Sequence, residues 1–164
     1  MSKLLHYTVI FLCNQLPPTQ LILFRRAADR PFAPNRYTGV GGKVEEGETP
    51  LAAAVRELEE ETGLTDIPLA EFGRVIVNNR HILYYFFGND NGNPLPESNE
   101  GIVERVKVED LFSYNIIPTT KIFLEEWKKR FWDTTRLFTV SIVRDDPDGI
   151  DAKVKKMIVE EGLV

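Results

Sequence analysis

Apolar residues recur along this chain with two different periods, and each period predicts its own elements. Leu4–Cys13 is rich in β-branched and aromatic residues and predicts a strand. Asn14–Thr19, NQLPPT, is a turn-like break, and Gln20–Phe24 predicts a second strand pairing with the first as a hairpin. Glu71–Val77 and His81–Phe87 predict two more strands, with Asn78-Asn79-Arg80 as the turn between them. Asn89–Asn99 is a polar loop with glycine and two prolines. Glu100–Val108 alternates polar and apolar residues, and Thr135–Val143 follows as a strand ending in the turn Asp145–Gly149. Helical spacing appears twice. Leu51, Val55, Leu58 and Thr62 form one mostly apolar stripe between a start at Thr49-Pro50 and a stop at Gly63. Thr119–Trp132 carries Phe123, Trp127 and Phe131 at i, i+4 and i+8, an aromatic stripe suited to a core. Glu109–Phe112 predicts a short turn of helix. Ile150–Val159 fits a helix face by its apolar positions and a hairpin return by the Asp-Pro-Asp-Gly turn before it. Strands on both sides of a central helix, with a second helix later, predict an α/β sandwich on a mixed sheet, one domain over 1–164.

Composition adds compartment and class. The balance of 43% hydrophobic and 27% charged residues is that of a soluble globular protein. Cys13 is the only cysteine, so an intramolecular disulfide and a cysteine-cluster zinc site are excluded. His6 interrupts the apolar start and no small-residue cleavage site follows, so no signal peptide is read. No stretch approaches the length of a membrane span, and the expectation is a cytoplasmic protein without a membrane partner. His6 and His81 lie on or beside predicted strands with no ligand partner at useful spacing, which favours structural roles.

Charge changes the picture more. The net charge is −5, and the stretch Gly42–Leu64 sets Lys43 and Arg56 against seven glutamates. That stretch carries the whole imbalance, which points to a site. Glu57, Glu60 and Glu61 stand at i, i+3 and i+4, on a face separate from the apolar stripe. Like charges at that spacing repel and call for a cation. Oxygen-only ligands suit Mg²⁺ or Mn²⁺. Gly39, Gly41 and Gly42 just before the helix allow close backbone approach. Arg25–Arg36 carries four arginines and reads either as a solvated loop or as a phosphate contact beside the acidic face.

Gly42, five residues, Glu48, seven residues, then Arg56-Glu57-Leu58-x-Glu60-Glu61-x-Gly63-Leu64 resembles the Nudix box at every defining position. Chance matches to such a pattern arise less than about once in ten million starts at ordinary residue usage. The resemblance implies a Nudix-type α/β/α sandwich and hydrolysis of a nucleoside diphosphate linked to another group. It implies divalent metal at Glu57, Glu60 and Glu61, the Gly41 carbonyl as a further ligand, and Arg56 as a positioning residue pairing with carboxylates including Glu48. Thr38–Val44 is similar to the entry segment of the MutT-related branch, which sanitises oxidised purine nucleoside triphosphates such as 8-oxo-dGTP. Glu100 falls where that branch has an extra carboxylate, a candidate ligand or base. By position in the resemblance, Tyr37 and Thr38 are expected near the base, with Arg25, Arg26, Arg36 and Lys43 as candidate substrate contacts. The mammalian branch has Trp-Asn where this chain has Tyr37-Thr38, and an acidic pair near Ile117-Pro118-Thr119, so base selectivity is expected to differ. Alternatives are another nucleoside diphosphate derivative (ADP-ribose, a nucleotide sugar, a dinucleoside polyphosphate) or a nucleotide-binding module without turnover. No broad basic groove or aromatic stacking array is visible, so the expected partner is a small-molecule nucleotide and not a nucleic acid.

Overall fold

The computed structural model describes residues 3–164; Met1 and Ser2, at the start of the segment read for a leader, lie outside the described residues. Ten strands belong to one mixed sheet. They are β1 (Leu5–Cys13), β2 (Gln20–Arg26), β3 (Tyr37–Thr38), β4 (Val40–Lys43), β5 (Ala70–Val77), β6 (His81–Asn89), β7 (Glu97–Ser98), β8 (Gly101–Lys107), β9 (Phe138–Arg144) and β10 (Val154–Glu161). Two α-helices, α1 (Pro50–Thr62) and α2 (Pro118–Lys129), and a 3-10 turn over Val108–Ser113 complete the described residues. The strand order is β10-β9-β5-β6-β1-β2-β8-β7, with β3 on β2 and β4 on β1. β1–β6 and β5–β9 are parallel, and the other pairings are antiparallel.

Strand alternation sorts β1 onto two cores. Val9, Phe11 and Cys13 face α2 and its Phe123, Leu124 and Trp127. Ile10 and Leu12 face α1 and its Ala54 and Leu58. The α2 side is stapled by aromatic rings: Phe123 stacks on Tyr85 at 3.8 Å between centroids, and Phe72 meets Trp127 edge-on at 4.7 Å. Full burial of each such ring stabilises by roughly 1.5–3 kcal/mol. Gly73 makes room for this cluster, since a Cβ there would stand 2.5 Å from the Phe123 ring.

β1 and β2 pair antiparallel as the expected hairpin, in register at Cys13↔Leu21; β1 also pairs with β6 and, farther along its β2 flank, with β4. The two strands diverge, and β4 enters the gap. Two expectations need correction. On α1, Leu58 and Thr62 are buried but Leu51 and Val55 are about half exposed, at 47% and 48%. The helix is turned so that Ala53, Ala54 and Glu61 face the sheet, and the small alanines permit that close approach. Phe131 is 86% exposed. α2 stops at Lys129, and Phe131 and Trp132 both adopt positive φ. The reversal lays Trp132 edge-on against Trp127 at 4.9 Å, in the place a continued helix would have given Phe131. The open reading of Ile150–Val159 resolves as a strand: β10 returns antiparallel along β9.

Candidate active site

α1 begins and ends as its sequence dictates. The Thr49 hydroxyl accepts the Ala52 N–H at 3.1 Å, Pro50 opens the first turn, and Gly63 closes the helix at φ 71°, donating its N–H to Glu59 O at 2.8 Å. The helix lies over β4, where side chains are excluded at Gly41 and Gly42. A Cβ on Gly41 would run into the Thr8 carbonyl, and one on Gly42 would stand 2.5 Å from Glu57 Oε1. The two glycines let the carboxylates of α1 reach the strand.

Arg56 gathers the loop before the helix. Its Nε and Nη2 donate to the two oxygens of Glu48, both at 2.8 Å. Nη2 also donates to the Lys43 carbonyl at 3.1 Å, and Nη1 donates to Glu57 Oε1 at 2.9 Å and reaches Glu60 Oε2 at 3.5 Å. The Arg56 hydrogen bonds, helped by the Glu45 N–H, hold the Glu48 carboxyl down to about 2. A planar guanidinium does this through fixed parallel donors, which an ammonium cannot copy.

Glu61 is the unusual residue. It is 3% exposed, and Oε1 accepts the Gly41 N–H at 3.2 Å. Oε2 is buried with no partner. Burial, then the nearby Glu57 charge, pushes the Glu61 carboxyl up to about 9. Burial also raises Glu57, against the pull of Arg56. A buried carboxylate and an adjoining part-buried one stay ionised together only with a cation between or beside them. Glu60 is exposed and leans on Arg56. Among the described residues no three acidic, His or Cys side chains converge as a ready-made cage. The donors at hand are the Glu57–Glu61 pair, the Gly41 backbone and Glu60 one turn away. The unpartnered Glu61 oxygen and the all-oxygen donor set fit a hard divalent cation.

Beside this pair opens a cavity of about 420 Å³, bounded by β1, β4, the start of α2 and the β9–β10 loop. Arg26 lies at its wall, donating Nε to Phe32 O at 2.6 Å with its guanidinium 5.2 Å from the Phe32 ring centroid. Glu61 and Glu100 both act on Arg26 by their charge, and the Glu100 carbonyl accepts the N–H of Ala27, next to Arg26, at 3.0 Å. Thr38 reaches the cavity, its hydroxyl 3.0 Å from that of Thr120. Gly41, Glu57, Glu61, Glu100, Arg26 and Thr38 therefore come together. Four other candidates stand apart. Tyr37 packs against the α2-side core outside the cavity lining, its hydroxyl 3.4 Å from Glu104 and its ring edge-on to Tyr114. Arg25 lies opposite Tyr37 in the β2–β3 pairing, also outside the lining. Arg36 is held by Asp151 at 2.8 Å and 3.0 Å. Lys43 is exposed on another flank.

Sequence reasoning missed Phe32, Thr120, Arg144 and Asp148, all of which line the cavity. Phe32 was the one aromatic residue of the basic loop, which a local signal could have singled out. His81 also lines it, and its Nε2 lies 2.9 Å from Asp148 Oδ1; His6 Nδ1 lies 2.9 Å from the Tyr84 hydroxyl.

A mixed sheet between two helices, with a carboxylate-bearing helix pressed on a glycine strand, defines the class: an α/β sandwich whose acidic centre is one loop–helix–loop. A model of the NUDIX domain matches residues 5–131, and the chain belongs to the Nudix family. It is 41% identical over 70 residues to the 8-oxo-dGTP diphosphatase of Escherichia coli (strain K12), covering 42% of this chain and 54% of that protein. It is 37% identical over 83 residues to the oxidized purine nucleoside triphosphate hydrolase of Mus musculus, covering 51% of this chain and 46% of that protein. The chain spans about half the length of these curated relatives. The mutator MutT protein of Bacillus halodurans superposes with a TM-score of 0.72 at 20% identity, over 96% of this chain and 98% of that one. The MutT protein of Methanosarcina mazei Go1 gives 0.68 at 21% identity, over 79% and 96%. At such identity the likeness establishes the fold. No helix among the described residues is long and apolar enough to cross a membrane.

Proposed function

We propose that this chain is a Mg²⁺-dependent pyrophosphohydrolase of purine nucleoside triphosphates, with 8-oxo-dGTP the first candidate substrate and nucleoside monophosphate and pyrophosphate the products. The observation that carries the reading is the buried, unpartnered oxygen of Glu61, whose other oxygen holds the backbone of Gly41 in the wall of a nucleotide-sized cavity. Both curated relatives bear names for hydrolysis of oxidised purine triphosphates, which supports the choice.

Glu57, Glu61 and the Gly41 carbonyl would hold the cation, with Glu60 and Glu100 in reserve at its edge. A divalent metal supplies charge neutralisation on the phosphate oxygens and acidifies water. The chain's own residues do the rest. Arg56 fixes Glu57 against Glu48, so that the carboxylate is aimed before substrate arrives. Arg26 offers a guanidinium to phosphate oxygens entering between Glu61 and Glu100. Phe32 and the apolar walls exclude water from the base, and the Thr38–Thr120 hydroxyl pair offers a donor and acceptors to its edge.

Hydroxyls read a base less sharply than carboxylates or amides. Discrimination between 8-oxo-dGTP and dGTP is therefore expected below about 3 kcal/mol, the scale of one well-made polar contact. Rates on 8-oxo-dGTP, dGTP, ADP-ribose and a diadenosine polyphosphate, with products separated by chromatography, test the reading. Pyrophosphate from the triphosphates supports it. Orthophosphate release, or a rate on ADP-ribose far above both triphosphates, overturns it.

Arg56→Lys is expected to lower turnover about tenfold or more, because a point charge cannot hold Glu48 and Glu57 together. The thermal midpoint should move little, since Arg56 sits at the rim of α1 outside both cores. A variant that loses its cooperative melting transition would make Arg56 a folding residue.

A further inference from the structure

We infer that β10 is a pairing edge for a second copy of this chain, joining two sheets across a two-fold axis at Ile158. β10 closes one end of the sheet order and, among the described residues, has β9 as its single neighbour. Its outer row of backbone donors and acceptors is therefore open to a further strand. Four apolar side chains on this hairpin are exposed: Val143, Val154, Met157 and Ile158.

The charge pattern selects the partner. β10 reads Val-Lys-Lys-Met-Ile-Val-Glu-Glu. Laid antiparallel on itself about Ile158, it sets Lys156 against Glu160 of the second copy and Lys155 against its Glu161, and each pair occurs twice. A shift of two residues either way faces the charges with apolar residues. A parallel in-register copy stacks lysine on lysine and glutamate on glutamate. Among the described residues, neither Lys156 nor Glu160 has an ion-pair partner within its own chain. Glu161 already receives Arg130 at 2.8 Å, so the Lys156–Glu160 pair carries the selection.

Backbone parity agrees with this register. Gly162 donates its N–H to Leu137 O at 2.7 Å, which makes 162 and 137 a hydrogen-bonded pair of the β9–β10 ladder. Alternation along the regular register from Lys156 to Glu161 points the backbone groups of Lys156, Ile158 and Glu160 to β9, and those of Met157 and Val159 outward. The two-fold register pairs Met157 with Val159 of the second copy, both outward-facing. Ile158 then meets its own copy at a non-hydrogen-bonded position, where side chains approach most closely. Ile76 and Ser141 continue that row inward across β5 and β9. Lysines and a bulge are also how edges are kept solvated. The bulge here lies between Val154 and Lys156, at one end, and leaves the symmetric segment regular. An interface of one strand pair is small, so the association is reversible and concentration-dependent.

Sedimentation equilibrium on the full chain, from about 1 µM to about 1 mM, reads the association. The wild type is expected to form dimers and no larger species. Met157→Pro removes an outward N–H without touching the β9 ladder and should leave a monomer with an unchanged melting transition. Lys156→Glu and Glu160→Lys should each weaken self-association at least about tenfold. Mixed in equal amounts, these two single variants should recover a dimer, since each then faces the opposite charge, and the double variant should recover it alone. A wild type that stays monomeric through the whole range overturns the proposal. So does a dimer that survives Met157→Pro or fails to return in the mixture.

Discussion

Glu61→Gln lowers turnover by roughly 10²-fold or more, the cost of removing a principal electrostatic stabiliser from a reacting centre. The amide keeps the shape of the carboxyl and can still accept the Gly41 N–H through its oxygen. It cannot present a charge to a cation. Glu57→Gln should act similarly, since its carboxylate is the neighbour whose charge makes the pair demanding. Stability is expected to move the other way. A carboxyl pushed up to about 9 by burial and by Glu57 is a strained group in the metal-free chain. Neutralising it should leave the thermal midpoint unchanged or raise it, as happens where function is kept at the expense of stability. Turnover and melting curves, each with and without added Mg²⁺, separate the two effects. Near wild-type turnover in both variants would place the reactive centre elsewhere, and a lowered midpoint would make Glu61 a structural residue.

The acidic centre was legible because it is local. Arg56, Glu57, Glu60 and Glu61 lie within two turns of one helix, and cap, proline and terminal glycine mark that helix in the sequence. Sequence neighbours on a helix have a fixed geometry, so spacing translates directly into a shared face. The cavity was not legible for the opposite reason. Thr38 and Thr120 are 82 positions apart, and His81 and Asp148 are 67 apart; only the sheet order brings them together. The same limit explains β1, whose longest register is with β6 and not with its sequence neighbour β2. Periodicity finds a stripe but does not say which stripe faces inward. On α1, Ala53, Ala54, Leu58 and Glu61 took the inner face, and Leu51 and Val55 the outer one. Tyr37 and Thr38 are sequence neighbours with different surroundings: Thr38 meets Thr120 in the cavity, and Tyr37 packs on Tyr114 beside Glu104.

Gly42→Ala is expected to lose nearly as much turnover as removal of Glu57 itself, although it alters no reactive group. The added Cβ would stand 2.5 Å from Glu57 Oε1 and 2.7 Å from its Cδ. These atoms are the far end of a flexible side chain, so the fold yields by moving the carboxylate and not the backbone. The displaced Glu57 also loses its 2.9 Å contact with Arg56, and with it the aim that Glu48 and Lys43 maintain. Misplacement of about 1 Å at such a centre costs on the order of 10²-fold. The physical claim is that Gly42 acts through Glu57 alone, and a double-variant cycle tests it. Gly42→Ala made on Glu57→Gln should cost almost nothing further, because the ligand it displaces is already disabled. Melting midpoints of the four proteins should agree within a few degrees. Fully multiplicative losses in the cycle would show that the methyl group damages the site by another route. Gly41→Ala is the contrasting case. Its Cβ would meet the backbone carbonyl of Thr8, which has no free end to swing away, so that variant should lose folded protein as well as turnover.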